Sequence, residues 1–304
     1  MGKIAFLFAG QGAQYPGMGK SLCEAGGRAG ELFQLAERLR PGTMAQCFSG
    51  DAETLVQTAN TQPCVFAVDL AAAYALEEAG VHAEGAAGFS LGEMAALTFA
   101  EAFSPEDGFS LVCRRGQLMQ EAAGKHPGAM AAVLKLEDSA VEELCAKFAH
   151  VYPVNYNCKG QLVVAGAEEE LEQFCTLAAE AGGRAKKLAV GGGFHSPMME
   201  EAAAQFLQEL KKTGVKQPAL PVYGNLRAEP YGENREETLA AQMKSPVRWR
   251  VTIENMAAAG FDTFIEVGPG KTLSGLVKRI LPEAAILHVE DAEGLSAAVS
   301  SLKG

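Results

Sequence analysis

Gly88-Phe89-Ser90-Leu91-Gly92 has the clearest chemical content of any stretch in this sequence. It fits G-x-S-x-G, follows a run of small residues and opens a helical pattern over 91–103. A serine on a sharp strand-to-helix turn needs neighbours without side chains. Such a turn exposes the hydroxyl and aims the next backbone N–H at a developing oxyanion. The alternative is a tight turn and nothing more.

A serine hydroxyl is a poor nucleophile until a base takes its proton. Of five histidines, His82 and His126 lie in turn-like sequence, while His150 and His288 border or lie in strands. His195 stands apart in Gly191-Gly192-Gly193-Phe194-His195-Ser196-Pro197, at a strand exit just ahead of a helix. The glycines let its backbone approach another element closely. The competing reading is a histidine that caps or packs a helix. Arg115 is the third feature. On the helix predicted to start at Ser104, residues Asp107, Ser110, Arg114, Gln117 and Glu121 form a polar stripe, yet Arg115 shares a stripe with Val112, Met119 and Ala122. A guanidinium on an apolar face keeps its charge and needs an anion. An internal ion pair, or a stem lying flat with its head in water, would also satisfy it.

Two other motifs fail on inspection. Gly268-Pro269-Gly270-Lys271-Thr272 suggests a phosphate loop, but Ile265 stands where that motif requires glycine. Gly10-Gln11-Gly12-Ala13-Gln14-Tyr15 places Tyr15 where a dinucleotide fingerprint needs a small residue. Glu266 reads as a structural carboxylate at a strand end.

These residues have to be brought together by a chain of 304 residues, long enough for two domains or for one large domain with an insertion. With 48% hydrophobic and 21% charged residues, its composition excludes a disordered or fibrous chain. Lys and Arg number 26 against 37 Asp and Glu, a formal charge of −11, so no basic nucleic-acid footprint exists and attraction to anionic lipid is not expected. The most apolar helical stretch, 65–76, is short and carries Asp69, a poor membrane span. No signal core is expected at the start, and the seven scattered cysteines read as reduced thiols of a cytoplasmic protein.

A buried-type strand is predicted over 3–9, a helix capped by Thr61 with Pro63 in its first turn runs to Gly80, and the Ser104 helix stops before Gly124. The middle reads as strand 130–136, helix 138–148, strands 151–156 and 161–165, helix 168–181 and strand 184–190. That β-α-β-β-α-β order is the ferredoxin-like split motif. Helices over 197–212, 247–259 and 272–281 then alternate with strands 221–223, 261–267 and 285–289, which argues a parallel sheet covered on both faces.

Taken in order, the motifs resemble the malonyl-CoA:acyl carrier protein transacylases of fatty acid synthesis and the acyltransferase domains of polyketide synthases. They are Phe8-Ala9-Gly10-Gln11-Gly12-Ala13-Gln14, Thr61-Gln62-Pro63, Gly88-Phe89-Ser90-Leu91-Gly92-Glu93 and Arg115-Gly116-Gln117-Leu118-Met119. Asn155-Tyr156-Asn157, Phe194-His195-Ser196, Ser245-Pro246-Val247-Arg248-Trp249 and Glu266-Val267-Gly268-Pro269-Gly270 follow. The resemblance spans nearly the whole chain. It implies an α/β-hydrolase-like core with a parallel sheet, residues 1–125 and 195–304, interrupted by a ferredoxin-like subdomain at 126–194.

It also implies roles. Ser90 would be the nucleophile and His195 its base, with the backbone N–H groups of Gln11 and Leu91 as the oxyanion hole. Arg115 would hold the free carboxylate of a malonyl group. Gln242 lies where the family orients its histidine with a backbone carbonyl, while Asn157, Met119 and Phe194 would line the substrate pocket. Malonyl-CoA and holo acyl carrier protein would be the substrates, with no cofactor or metal, in a cytoplasmic monomer. A free-standing chain favours fatty acid over polyketide synthesis. Phe89 departs from the family, which usually has histidine before the serine, and this bears on acyl selectivity and rate. Leu91 and the Phe194-His195 pair resemble malonyl-selecting members. A serine esterase or thioesterase, and a non-catalytic carrier-protein docking module, are the alternatives. Lys186-Lys187, Arg248-Arg250 and Lys278-Arg279 are candidate basic patches for the carrier.

Overall fold

Residues 3–8 are apolar at nearly every position, not at alternate ones, the pattern of a strand covered on both faces. In the computed structural model of the chain, which describes residues 2–303, they form β1 (Lys3–Phe8) at the centre of a five-stranded parallel sheet. Its neighbours are β2 (Gly85–Gly88) and β8 (Phe261–Val267); β7 (Val222–Tyr223) and β9 (Ala285–Val289) take the edges. Phe8 is in register with both Gly88 and Val267, so three neighbouring strands end at one level. The loops carrying Gly10, Ser90 and Gly268 therefore leave the same edge side by side. β1 is also where the strand order reverses, and the crevice beyond the strand ends at such a point is where open α/β sheets place ligands.

β2 is made only of glycine and alanine, and close packing explains it. A Cβ on Gly85 would overlap the Phe261 ring, and one on Gly88 would overlap the Gly92 backbone. The helix Thr58–Glu78 lies almost wholly inside the core. It starts three residues before the predicted cap. Thr61 does not cap it, because its hydroxyl donates back to the carbonyls of Leu55 (2.5 Å) and Gln57 (3.1 Å). Ser104 does cap the helix Pro105–Lys125, accepting from the Asp107 amide at 3.1 Å. Four helices between residues 20 and 55 were not anticipated.

The second sheet is antiparallel, in the order β4 (Val151–Cys158), β5 (Gln161–Gly166), β3 (Ala129–Leu134) and β6 (Arg184–Lys187). The helices Asp138–Cys145 and Glu168–Glu180 cover one face. β5 shows how the sheet divides. Leu162 and Val164 join Phe174 and Leu171 in the sheet's own core, whereas Val163 and Ala165 face the main body. β6 ends three residues earlier than expected, because the Val190 amide turns back to the Leu188 carbonyl (2.9 Å) and takes the chain out of the ladder. Among the described residues no helix is long and apolar enough to cross a membrane.

The glycines give a paired prediction. Gly92→Ala places a methyl into the Phe8 carbonyl and should cost about 1–3 kcal/mol in urea unfolding. Gly275→Ala, in the open interior of the helix Thr272–Ile280, should instead stabilise by roughly 0.5–1 kcal/mol.

Candidate active site

Ser90 sits at the turn from β2 into the helix Gly92–Phe99 with φ at 55°, a left-handed conformation that a side chain occupies only under constraint. The constraint can be traced. The Phe89 amide donates to the Phe8 carbonyl (3.0 Å) and the Ser90 amide to Asn225 Oδ1 (2.8 Å). Asn225 Nδ2 donates in turn to the Gly88 carbonyl (2.7 Å), and Gln242 Nε2 to the Ser90 carbonyl (2.8 Å). Below them Glu93 accepts from the Asn225 amide (2.7 Å) and from the Tyr231 hydroxyl. Burial pushes the Glu93 carboxyl up to about 7 despite these donors.

His195 Nε2 lies 2.7 Å from Ser90 Oγ, and His195 Nδ1 lies 2.9 Å from the Gln242 backbone carbonyl. A carbonyl can only accept, so the ring proton sits on Nδ1 and Nε2 offers its lone pair to the serine hydroxyl. The His195 backbone is also left-handed, with φ at 60°, and its amide is tied to the Met243 carbonyl at 3.1 Å. Burial, then the nearby Arg115 charge, holds the imidazole down to about 4, so it is the neutral base at neutral pH.

Arg115 is fully buried, on the stripe that also buries Val112, Met119 and Ala122. Its Nη1 donates to Gln62 Oε1 (2.7 Å), and its Nη2 to Gln242 Oε1 (2.9 Å) and Ser90 Oγ (3.3 Å). Its Nε has no partner among the described residues. Burial lowers its affinity for the proton, to about 10, yet it remains a cation at neutral pH. No carboxylate of the described residues forms an ion pair with it, so amides and a hydroxyl surround a dry positive charge beside the nucleophile.

Ser90, His195, Arg115, Gln11, Met119 and Phe194 all face one pocket of about 80 Å³, with Leu91 at its wall. Neither the Gln11 nor the Leu91 amide donates to an acceptor among the described residues. A second cavity of about 220 Å³ shares Gln11, Phe89, Asn155 and Leu188 with the first. Asn157 lines this second cavity and not the serine pocket, which differs from the expectation; its Oδ1 is buried and unpartnered, as is that of Asn155. The structure thus gathers every expected residue except Asn157 around the serine. Phe89, in place of the usual histidine, packs edge-on against Trp249 with ring centroids 5.3 Å apart. A larger cavity of about 640 Å³ beside His126 and His150 has no serine or threonine in its lining; the Tyr152 hydroxyl there lies 3.5 Å from His150 Nδ1. No group of three metal-ligating side chains occurs among the described residues.

Gln62, Glu93 and Asn225 join the site without having been expected there. The first two lie inside the motifs Thr61-Gln62-Pro63 and Gly88-Phe89-Ser90-Leu91-Gly92-Glu93, and a carboxylate one residue past G-x-S-x-G is a usable signal. Asn225 has none, because its position is set by β7 pairing with β2. The set of groups suits acyl transfer through serine, with a cation placed for a substrate that carries its own anion.

The family described as acyl transferase domain matches residues 5–298. A malonyl CoA-acyl carrier protein transacylase of Bacillus subtilis is 40% identical over 311 residues, covering 100% of this chain and 98% of that protein. The crystal structure of a malonyl CoA-acyl carrier protein transacylase from Clostridium perfringens superposes with a TM-score of 0.95 at 39% identity, covering 99% and 97% of the two chains. A malonyl-transacylase solved in complex with its type II PKS acyl-carrier protein gives a TM-score of 0.94 at 32% identity over 98% and 99%.

His195 offers a direct check. Its imidazole resonances should titrate near 4, below the ordinary 6.5, and move upward in Arg115→Ala. Because the folded value is depressed, the unfolded chain takes up this proton first, and stability should fall as pH drops from about 6.5 towards 4.

Proposed function

Because this chain belongs to the acyl transferase domain family, we propose that it moves malonyl groups from malonyl-CoA to the phosphopantetheine thiol of an acyl carrier protein, through malonyl-Ser90. The observation that carries this reading is the line from the Gln242 carbonyl through His195 to Ser90, with Arg115 Nη2 3.3 Å from the nucleophile. As Ser90 Oγ attacks the thioester carbon, its proton passes to His195 Nε2. The oxyanion rests on the amides of Gln11 and Leu91. The carbon–sulfur bond breaks and coenzyme A leaves with the proton from His195. The carrier thiol then gives its proton to His195 and attacks the acyl-serine, and Ser90 recovers its hydrogen.

Arg115 takes the malonyl carboxylate in a paired grip, exchanging contacts with amides for contacts with an anion. Met119 and Phe194 shape the pocket around that group. Asn157 acts further out, in the adjoining cavity, where the arm of either thiol substrate enters. Residues 1–125 and 195–304 serve as the catalytic core and 126–194 as the subdomain that walls the entrance. No cofactor takes part, and the reading carries with it a cytoplasmic monomer supplying extender units for fatty acid synthesis. Among the basic patches, Lys187 is paired to Glu168 (2.5 Å) and Arg250 to Asp138 (2.9 Å). Among the described residues Arg279 meets neutral groups, Gln161 Oε1 (2.5 Å) and the Lys159 carbonyl (3.3 Å), beside the second cavity. Its place beside that cavity favours Lys278-Arg279 as the carrier's dock.

Intact-mass measurement tests the reaction. Wild type mixed with malonyl-CoA should gain one malonyl group and lose it to added holo carrier, while Ser90→Ala gains none. Carrier-independent release of malonate would instead mark an esterase. Arg115→Ala should slow malonyl loading on the order of a hundredfold while sparing acetyl-CoA, and Arg115→Lys should not restore it.

A further inference from the structure

Asp69 lies outside the machinery just described, yet it is fully buried in the helix Thr58–Glu78 and neither carboxyl oxygen has a partner among the described residues. Its surroundings are the exits of two strands. Oδ1 fills the space that a Cβ on Gly268 would need, at a glycine whose φ of 110° already disfavours any side chain. The Ala9 amide lies beside the carboxyl, although it is already given to the Val267 carbonyl at 3.2 Å. Ala9 leads directly into Gly10-Gln11, and Gly270, at the far end of the Gly268 turn, faces Ala13 of the same loop, where an added Cβ would just come within van der Waals distance. An ionised carboxylate with no partner in such a place is prohibitively costly, whereas the neutral acid is tolerable. Burial, reinforced by the Glu266 carboxyl on β8, pushes Asp69 well above the usual carboxylate range. Glu266 itself is turned to the amides of Leu273 and Ser274 at 2.9 and 2.7 Å and does not share the load.

We propose that Asp69, held as a neutral acid in the junction of Ala9 and Gly268, is a positioning residue that sets the Gln11 amide for the oxyanion. The proposal rests on the oxyanion role given to Gln11 above. Three observations support it: a volume matched to Gly268, contact with the residue two before Gln11, and an acid whose only compatible state there is uncharged. Asparagine, its neutral isostere, should therefore replace it, and alanine should not.

The test combines infrared difference spectra at neutral pH with single-turnover malonyl loading. Wild type minus Asp69→Asn should show the C=O band of a protonated carboxylic acid, and Asp69→Asn should load within about twofold of wild type. Asp69→Ala should load roughly ten- to a hundredfold more slowly with half-saturating malonyl-CoA unchanged, as expected when a donor is misplaced but the pocket is intact. No protonated-acid band, or Asp69→Ala loading at the wild-type rate, overturns the proposal. Should Asp69→Ala fail to fold, the infrared band and the Asp69→Asn rate decide it. If wild type forms no adduct at all, the transfer reading fails, while the band still reports on Asp69 separately.

Discussion

A positive charge with no carboxylate in ion-pair contact among the described residues, buried one hydrogen bond from a serine, is the constraint around which this molecule is arranged. Arg115 cannot shed its proton at neutral pH, and burial without an anion is unfavourable. Side-chain amides of Gln62 and Gln242 offset that cost in part by presenting oxygens, which stabilise the cation without neutralising it. The charge also depresses the basicity of His195, which keeps the imidazole free to accept a proton. Glu93 is near enough to steady the cation by its charge but forms no ion pair with it, which leaves the guanidinium available to a substrate's anion. The Nε of the guanidinium has no partner among the described residues.

Gln242 links the two halves of this arrangement. Its backbone carbonyl orients His195, its side-chain oxygen holds Arg115, and its side-chain nitrogen reaches the Ser90 carbonyl. One residue thereby couples the tautomer of the base, the aim of the cation and the strained backbone of the nucleophile. Ser90 and His195 both occupy left-handed backbone, and such strain persists only where the surroundings over-determine it. Asn225, braced by Glu93 and Tyr231, supplies much of that determination from the far side of the turn.

Much of this was legible in the chain itself. The glycines around Ser90 announced close backbone approach, and the misplaced polarity of Arg115 announced a buried cation, because both are local patterns; the glycines before His195 instead make room for side chains, Ala123 and Phe194 at Gly192 and Met198 at Gly193. The split βαββαβ order was readable from hydrophobic periodicity and length. Asn225 was not, since its role depends on β7 pairing with β2 across more than a hundred residues of sequence. The start of the Thr58–Glu78 helix was misjudged because Thr61 carries the composition of a cap but spends its hydroxyl inside the helix. The strand Gly85–Gly88 was legible only from its place before the G-x-S-x-G turn, because contact with Phe261 and Gly92 leaves no room for the β-branched residues that signal a strand.

β5 sends its side chains alternately into the small sheet's private core and towards the shared wall, where Val163 borders the outer cavity. The two sets answer to separate demands. Substitutions at Leu162 or Val164 alter how firmly the small sheet holds to its own helices, whereas those at Val163 reshape the cavity beside the serine pocket. Odd-numbered positions of this one ribbon can accordingly change the outer cavity while its fastening stays intact.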